Sequence, residues 1–185
     1  MPGVTPESRN NGGGAPPEDE WPVVEKTLDA ALVKLNQMRR EEGKAMEAEL
    51  LTHHRLIAEQ LDSVRTLLPA VVTDYRQRLL DRVRQAVADA GVVLSAESII
   101  REVALFADRT DVSEEVTRLT SHLEQFRELI RKGEEAGRKL EFVIQEMGRE
   151  TNTIGSKAGD VAISRHVFEI KATLEKLREL VLNIE

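Results

Sequence analysis

The stretch Gly137-Arg-Lys-Leu-Glu-Phe-Val-Ile-Gln-Glu-Met-Gly-Arg-Glu-Thr-Asn-Thr-Ile-Gly-Ser-Lys157 carries two stripes at helical spacing. Leu140, Val143, Ile144 and Met147 form the apolar one, so one face is predicted to be buried. Arg138, Glu141, Gln145, Arg149 and Asn152 are spaced 3, 4, 4 and 3 and form the other. Solvated helix faces are commonly interchangeable runs of Lys and Glu. This one mixes guanidinium, carboxylate and amide, the groups that hold phosphate, metal ions and base edges. Phe142 sits on the same polar side.

The surrounding composition points the same way. The chain has 185 residues, 41% hydrophobic and 32% charged, with only 3% aromatic. Leu, Glu, Arg, Lys and Ala are abundant, helical periodicity runs throughout and no strand-type alternation is found, so the fold class is all-α. There is no cysteine, which excludes structural disulfides and Cys-ligated zinc. No apolar run approaches the roughly 20 residues needed to span a bilayer, and a cytoplasmic protein is expected. The formal net charge of −7 argues against nucleic-acid binding through a general positive field. A nucleic-acid partner would have to be met by local Arg and Lys groups, or through metal ions that neutralise carboxylates.

Taken in order, residues 1–20 contain Gly12–Gly14 and Pro16-Pro17 and read as a disordered leader. Residues 21–91 read as a long helical hairpin. Its first helix runs from Trp21 to about Leu67 on a stripe of Val24, Leu28, Leu32, Leu35, Met46, Leu50, Ile57, Leu61, Val64 and Leu68. Pro69 marks a boundary. The second helix, Ala70 to Ala90, would face Val72, Tyr75, Leu79, Val83 and Val87 inward and stop at Gly91. Residues 92–185 read as a C-terminal helical domain. Ser95 is an N-cap candidate, and Asp111-Val-Ser-Glu114 has capping-box form. The helix that follows carries Val112, Val116, Leu119, Leu123, Phe126 and Ile130, with a polar stripe of Asp111, Glu115, Arg118, His122 and Gln125 beside it. After a turn expected at Gly155–Gly159, the last helix carries Ile163, Val167, Ile170, Leu174, Leu177, Val181 and Ile184. Their alternation of 4 and 3 makes a heptad seam for a partner helix, within the chain or in another copy.

Chemistry is concentrated on the two polar stripes. Glu114, Glu115 and His122 are types that ligate a divalent cation or move protons, and Arg118 is suited to phosphate. The same residues also read as a surface helix with a Glu114–Arg118 pair at i,i+4. Glu146 and Glu150 are i,i+4 to each other, a like-charge pair that calls for a cation or an Arg neighbour. The α-helical stripe through Gln145 and Arg149 reads either as phosphate and base contact, with Phe142 available for stacking, or as a polar seam that sets helix register. His53-His54 point about 100° apart on a helix and do not converge. His166 has no partner nearby in sequence. No Walker loop, zincin motif, nucleophile elbow or dinucleotide fingerprint is present.

Three runs resemble the bacterial YicC/YloC family: Phe106-Ala-Asp-Arg-Thr-Asp-Val-Ser-Glu-Glu-Val-Thr-Arg-Leu-Thr-Ser-His-Leu-Glu-Gln-Phe126; Gly137-Arg-Lys-Leu-Glu-Phe142 with Gln145-Glu-Met-Gly-Arg-Glu-Thr-Asn-Thr-Ile-Gly-Ser-Lys157; and Leu177-Arg-Glu-Leu-Val-Leu-Asn-Ile-Glu185. The match is dense over the C-terminal half and follows pattern alone over residues 20–90. The resemblance implies a stress-related, divalent-metal-dependent endoribonuclease assembled as a ring-like homohexamer. Two departures stand out. The family's N-terminal α/β domain, which opens with an Arg-Ser-Met-Thr-like motif, is absent, so the chain reads as starting near the Pro-Gly-Val that follows that domain. Gly148 stands where the family usually has Asn.

On this reading the chain cuts RNA phosphodiester bonds with Mn²⁺ or Mg²⁺. Glu114, Glu115, His122, Glu146 and Glu150 would handle metal or protons, with Glu114, Glu146 and Glu150 as metal ligands. Arg118, Arg138, Arg149 and Lys157 would contact phosphate, and Gln145 and Asn152 would contact base or sugar. The alternative is a non-enzymatic helical oligomerisation module whose polar stripes set register.

Overall fold

In a computed structural model of the chain, residues 17–90, 95–133, 137–182 and 184 are described. Residues 1–16 of the expected leader, the stop at Gly91 and the side chain of Val87 lie outside the described residues. Five helices and no strand occur among the described residues: α1 (Pro17–Ala90), α2 (Ala96–Thr110), α3 (Ser113–Lys132), α4 (Gly137–Lys157) and α5 (Val161–Val181). The class is all-α. No helix among them is long and apolar enough to cross a membrane.

The expected hairpin is corrected. α1 does not end at Leu67 but runs through Pro69 to Ala90, and it begins at Pro17 inside the expected leader. Pro69 removes one N–H bond and crowds the carbonyl four residues back, typically worth about 3 kcal/mol. Buried Val64 and Val71, with half-buried Leu68 between them, lie on one face on both sides of the proline, and their shared packing holds the helix in register. The chain reverses after Ala90 instead. α2 returns along the last part of α1, with the Tyr75 ring stacked on Phe106 at 3.6 Å between centroids. Ser95 caps α2, its hydroxyl accepting from the Ser98 N–H.

The chain divides into two compact units, residues 1–45 and residues 46–185. In the first, the described residues belong to α1 alone. In the second, α3, α4 and α5 pack in succession. The apolar faces read from the sequence are the ones buried: Leu119, Leu123 and Phe126 from α3, Leu140, Val143, Ile144 and Met147 from α4, and the heptad set Ile163, Val167, Ile170, Leu174, Leu177 and Val181 from α5. The α5 seam is therefore used inside the chain. α1 closes this core with Ile57, Leu61 and Val64. Polar ties cross from it: His54 Nε2 meets the Leu123 carbonyl oxygen at 3.1 Å, and His166 Nδ1 meets Gln60 Oε1 at 2.7 Å. Burial holds the His54 imidazole below its usual pKa, so it stays neutral as a structural group.

Two expected boundaries move. The expected capping box at Asp111 is replaced by a helix that opens one residue later. Val112 takes the cap position without a side-chain bond, while the Asp111 carboxylate accepts from the Ser113 N–H at 2.9 Å. The expected turn at Gly155–Gly159 narrows to residues 158–160. Gly159 adopts φ +59°, and Asp160 caps α5 by accepting from the Ala162 and Ile163 N–H groups. Gly155 remains helical, and its role is close approach. A Cβ placed there would stand 2.9 Å from Val167 Cγ1 on α5, and one at Gly137 would stand 2.8 Å from the Ile184 carbonyl oxygen.

Gly155→Ala is therefore expected to lower stability by about 1–3 kcal/mol, because β-branched Val167 must shift in a packed core. Gly148→Ala, on the same helix with nothing within 4 Å of its added Cβ, is expected to raise it by about 0.5–1 kcal/mol. Urea denaturation of the two variants beside the parent chain measures both signs.

Candidate functional site

α3 and α4 run antiparallel, so the first turn of α3 lies beside the last turn of α4. Three carboxylates, two from α3 and one from α4, converge on Arg118. Its guanidinium reaches Glu114 Oε2 at 3.3 Å, Glu115 Oε1 at 3.8 Å and, across the helix pair, Glu150 Oε1 at 3.2 Å. Lys157, the last residue of α4, donates to Glu115 Oε1 at 2.7 Å and to the Asp111 carbonyl oxygen at 3.5 Å. Glu115 is the one buried charged residue among the described core, 4% exposed. The Lys157 hydrogen bond outweighs desolvation and holds its carboxyl below the usual carboxylate range. Its second oxygen, Oε2, has no hydrogen-bond partner. Asp111 is also held low, chiefly by its hydrogen bonds to Ser113.

The like-charge pair Glu146 and Glu150 has resolved into two Arg neighbours. Arg149 donates to Glu146 Oε1 at 2.6 Å, and Arg118 takes Glu150. No group of three or more His, Asp or Glu side chains suited to hold a metal ion occurs among the described residues. The set Glu114, Glu146 and Glu150 is thus not gathered around one point in a single chain. Two of its carboxylates share Arg118, and the third is held by Arg149. His122, one turn beyond Arg118, is half-buried and takes no hydrogen bond or ion pair among the described residues.

The α4 stripe opens on its other side into a cleft against α5. Glu141, Gln145, Arg149 and Asn152 line one wall, Lys171, Glu175 and Arg178 the other, with Ile144, Gly148 and Leu174 between them. Arg138 lies apart, beside exposed Phe142 and Gln125 in a shallow recess between α3 and α4. Lys171, Glu175 and Arg178 were not read from the sequence as site residues. Their spacing of 4 and 3 beside the heptad seam was a usable signal, but it faces α4 only once α5 is known to pack there.

Residues 64–185 match the family described as "Endoribonuclease YicC-like, C-terminal". The chain belongs to this family. It is 39% identical over 171 residues to a "Probable endoribonuclease YicC" of Clostridioides difficile (strain 630), an alignment that covers 91% of this chain and 58% of the relative. It is 36% identical over 158 residues to the protein of the same name from Haemophilus influenzae, covering 85% of this chain and 54% of that relative. The chain thus spans somewhat over half the length of these YicC relatives. The matched region contains the Arg118 network and the α4–α5 cleft in full.

Lys157→Met would leave the Glu115 carboxylate buried with only distant Arg118 to answer it. Breaking a buried pair commonly costs about 3–5 kcal/mol, and the part-exposed Lys157 reduces this to about 1–3 kcal/mol. Because the folded pKa of Glu115 lies below its unfolded value, this stabilisation is present above about pH 4.5 and is lost as pH falls through the depressed value. The stability gap between parent and variant should therefore close on acidification, as followed by urea denaturation from pH 7 to pH 3.

Proposed function

We propose that this chain is the C-terminal, RNA-cleaving region of an endoribonuclease that acts on RNA phosphodiester bonds. Membership of the YicC-like family supports the reaction class, since both relatives above bear the name endoribonuclease. The observation that carries the site is the α4–α5 cleft, where cations and amides from two helices face one another over an open floor.

In this proposal Arg149 contacts phosphate from the cleft wall, and Gln145 and Asn152 meet base or sugar edges. Arg138 and exposed Phe142 extend the track along α4, the ring offering a stacking face. Arg118 contacts phosphate at the α3 side. An incoming phosphate oxygen competes there with the carboxylates of Glu114 and Glu150 for the guanidinium, and frees them to take a proton. Glu115, Lys157, Glu146 and His122 complete the proposed proton-handling and phosphate-binding set, with Lys157 also holding Glu115 in place.

A divalent cation, Mn²⁺ or Mg²⁺, belongs to the proposal through the family resemblance. The described residues do not gather three suitable ligands, so no step is routed through the ion. A homo-oligomer, a hexamer by the same resemblance, and a cytoplasmic setting are part of the same reading. The competing reading, a non-enzymatic helical module, draws on the pairing of every site carboxylate except Glu141 and Glu175 with an Arg or Lys of the same chain.

The test is cleavage and binding of a labelled RNA by the purified chain, with Mn²⁺ or Mg²⁺ and with chelator. Cleavage is expected with metal and not with chelator. Arg149→Ala should weaken RNA binding by about tenfold, or about 1.4 kcal/mol. Gly148→Asn should tighten it, because the added amide stands in open space on the cleft floor. Full cleavage by Arg149→Ala and Glu146→Gln variants would remove the site assignment, and absence of both binding and cleavage at low salt would favour the non-enzymatic module.

A further inference from the structure

Several cations of the proposed site are already committed to carboxylates of the same chain. Arg149 is bonded to Glu146, Arg118 to Glu114 and Glu150, and Lys157 to Glu115. A phosphate must compete with those carboxylates before any of the three can hold it. Two cations of the α4–α5 cleft are in a different state. Lys171 and Arg178 of α5 line the cleft, are exposed, and take no side-chain hydrogen bond or ion pair among the described residues. Glu175 lies within one turn of each, four residues after Lys171 and three before Arg178, and pairs with neither. Lys followed by Glu is the weaker order for a pair on one helix, so an anion arriving at Lys171 has little to displace.

The register of the two helices says what faces these cations. A Cβ at Gly155 would meet Val167, and one at Gly137 would meet the Ile184 carbonyl oxygen, so α4 and α5 run antiparallel with those residues level. That register sets Lys171 level with the turn between Arg149 and Asn152, and Arg178 level with the turn between Glu141 and Gln145. Along the axis of α5 the two cations are about 10 Å apart, at 1.5 Å per residue. Building on the RNA-cleaving role given above, on which this rests, we propose that Lys171 and Arg178 are phosphate-holding residues of the cleft. Lys171 clamps one phosphate against Arg149 and the Asn152 amide, and Arg178 holds another two turns further along. The RNA backbone therefore runs lengthwise between α4 and α5, since a strand crossing the helices would meet only one of the two cations. The unpaired carboxylates Glu141 and Glu175 both stand nearer Arg178, and they repel phosphate there. Lys171 accordingly carries the larger share of the binding.

The test is binding of the labelled RNA by the full chain over a series of salt concentrations. Lys171→Gln and Arg178→Gln are compared with Lys176→Gln, which makes the same charge change on an exposed position of α5 outside the cleft. Glutamine keeps helix propensity at such positions, so helical circular dichroism should not change. Lys171→Gln is expected to weaken binding about tenfold and Arg178→Gln about threefold, each lowering the slope of log affinity against log salt by about 0.7–1. Lys171→Arg is expected to restore binding, and Lys176→Gln to change it by less than about twofold, as a screened surface charge does. Because Lys171 and Arg149 serve one phosphate, Lys171→Gln combined with Arg149→Ala should lose less than the product of the separate losses. Fully multiplying losses would overturn the clamp. Binding by the parent chain with Lys171→Gln and Arg178→Gln indistinguishable from Lys176→Gln would overturn the assignment and leave the nuclease role in place. No RNA binding by the parent chain at low salt would remove that role, and this assignment with it.

Discussion

The buried pair between Glu115 and Lys157 is the constraint on which the site depends. It joins the first turn of α3 to the last turn of α4, where each charge also complements its own helix dipole. Burying a carboxylate is costly unless it is met by a cation and by hydrogen bonds. Here the ammonium reaches one oxygen at 2.7 Å, and Arg118 stands at 3.8 Å from the same atom. This arrangement fixes the spacing of the two helices at one end. At the other, Gly133 in the left-handed region closes α3, its N–H donating to the Leu129 carbonyl oxygen.

With that spacing fixed, Arg118 of the α3 stripe meets Glu150 of α4. Arg118 can reach Glu150 only because α3 and α4 are held antiparallel and in register. The same helix then presents Gln145, Arg149 and Asn152 to α5, which is seated closely because Gly155 has no side chain to hold Val167 away. A chain of net charge −7 offers RNA no general attraction. Local cations on a cleft wall are the form of contact such a chain allows, and they should make binding strongly dependent on salt.

Much of this was legible in the sequence. The apolar stripes of α3, α4 and α5 are buried as their spacing implied, since a heptad or 3.6-residue period can be satisfied in only one way once a helix forms. The need of Glu146 and Glu150 for cationic neighbours was legible too, though not which arginines would answer. What escaped depended on tertiary context. Pro69 looked like a boundary, but the packing on either side of it outweighed one lost hydrogen bond. Gly155 looked like a turn and is a contact. Lys171, Glu175 and Arg178 drew no reading from the sequence, because their place in the cleft depends on α4 packing opposite them. The bond between Lys157 and Glu115, 42 residues apart, gave no signal in local spacing.

In the proposed function, RNA meets the polar stripe of α4 that lines the cleft against α5. Photocrosslinking of a 4-thiouridine-substituted RNA to the chain, with the attached peptides located by mass spectrometry, tests it most directly. Attachment is expected within residues 138–152, at Phe142 or beside Gln145 and Asn152, and is expected to be lost at high salt. Attachment confined to α1 or α2, with none on α4 or α5 at low salt, would contradict it.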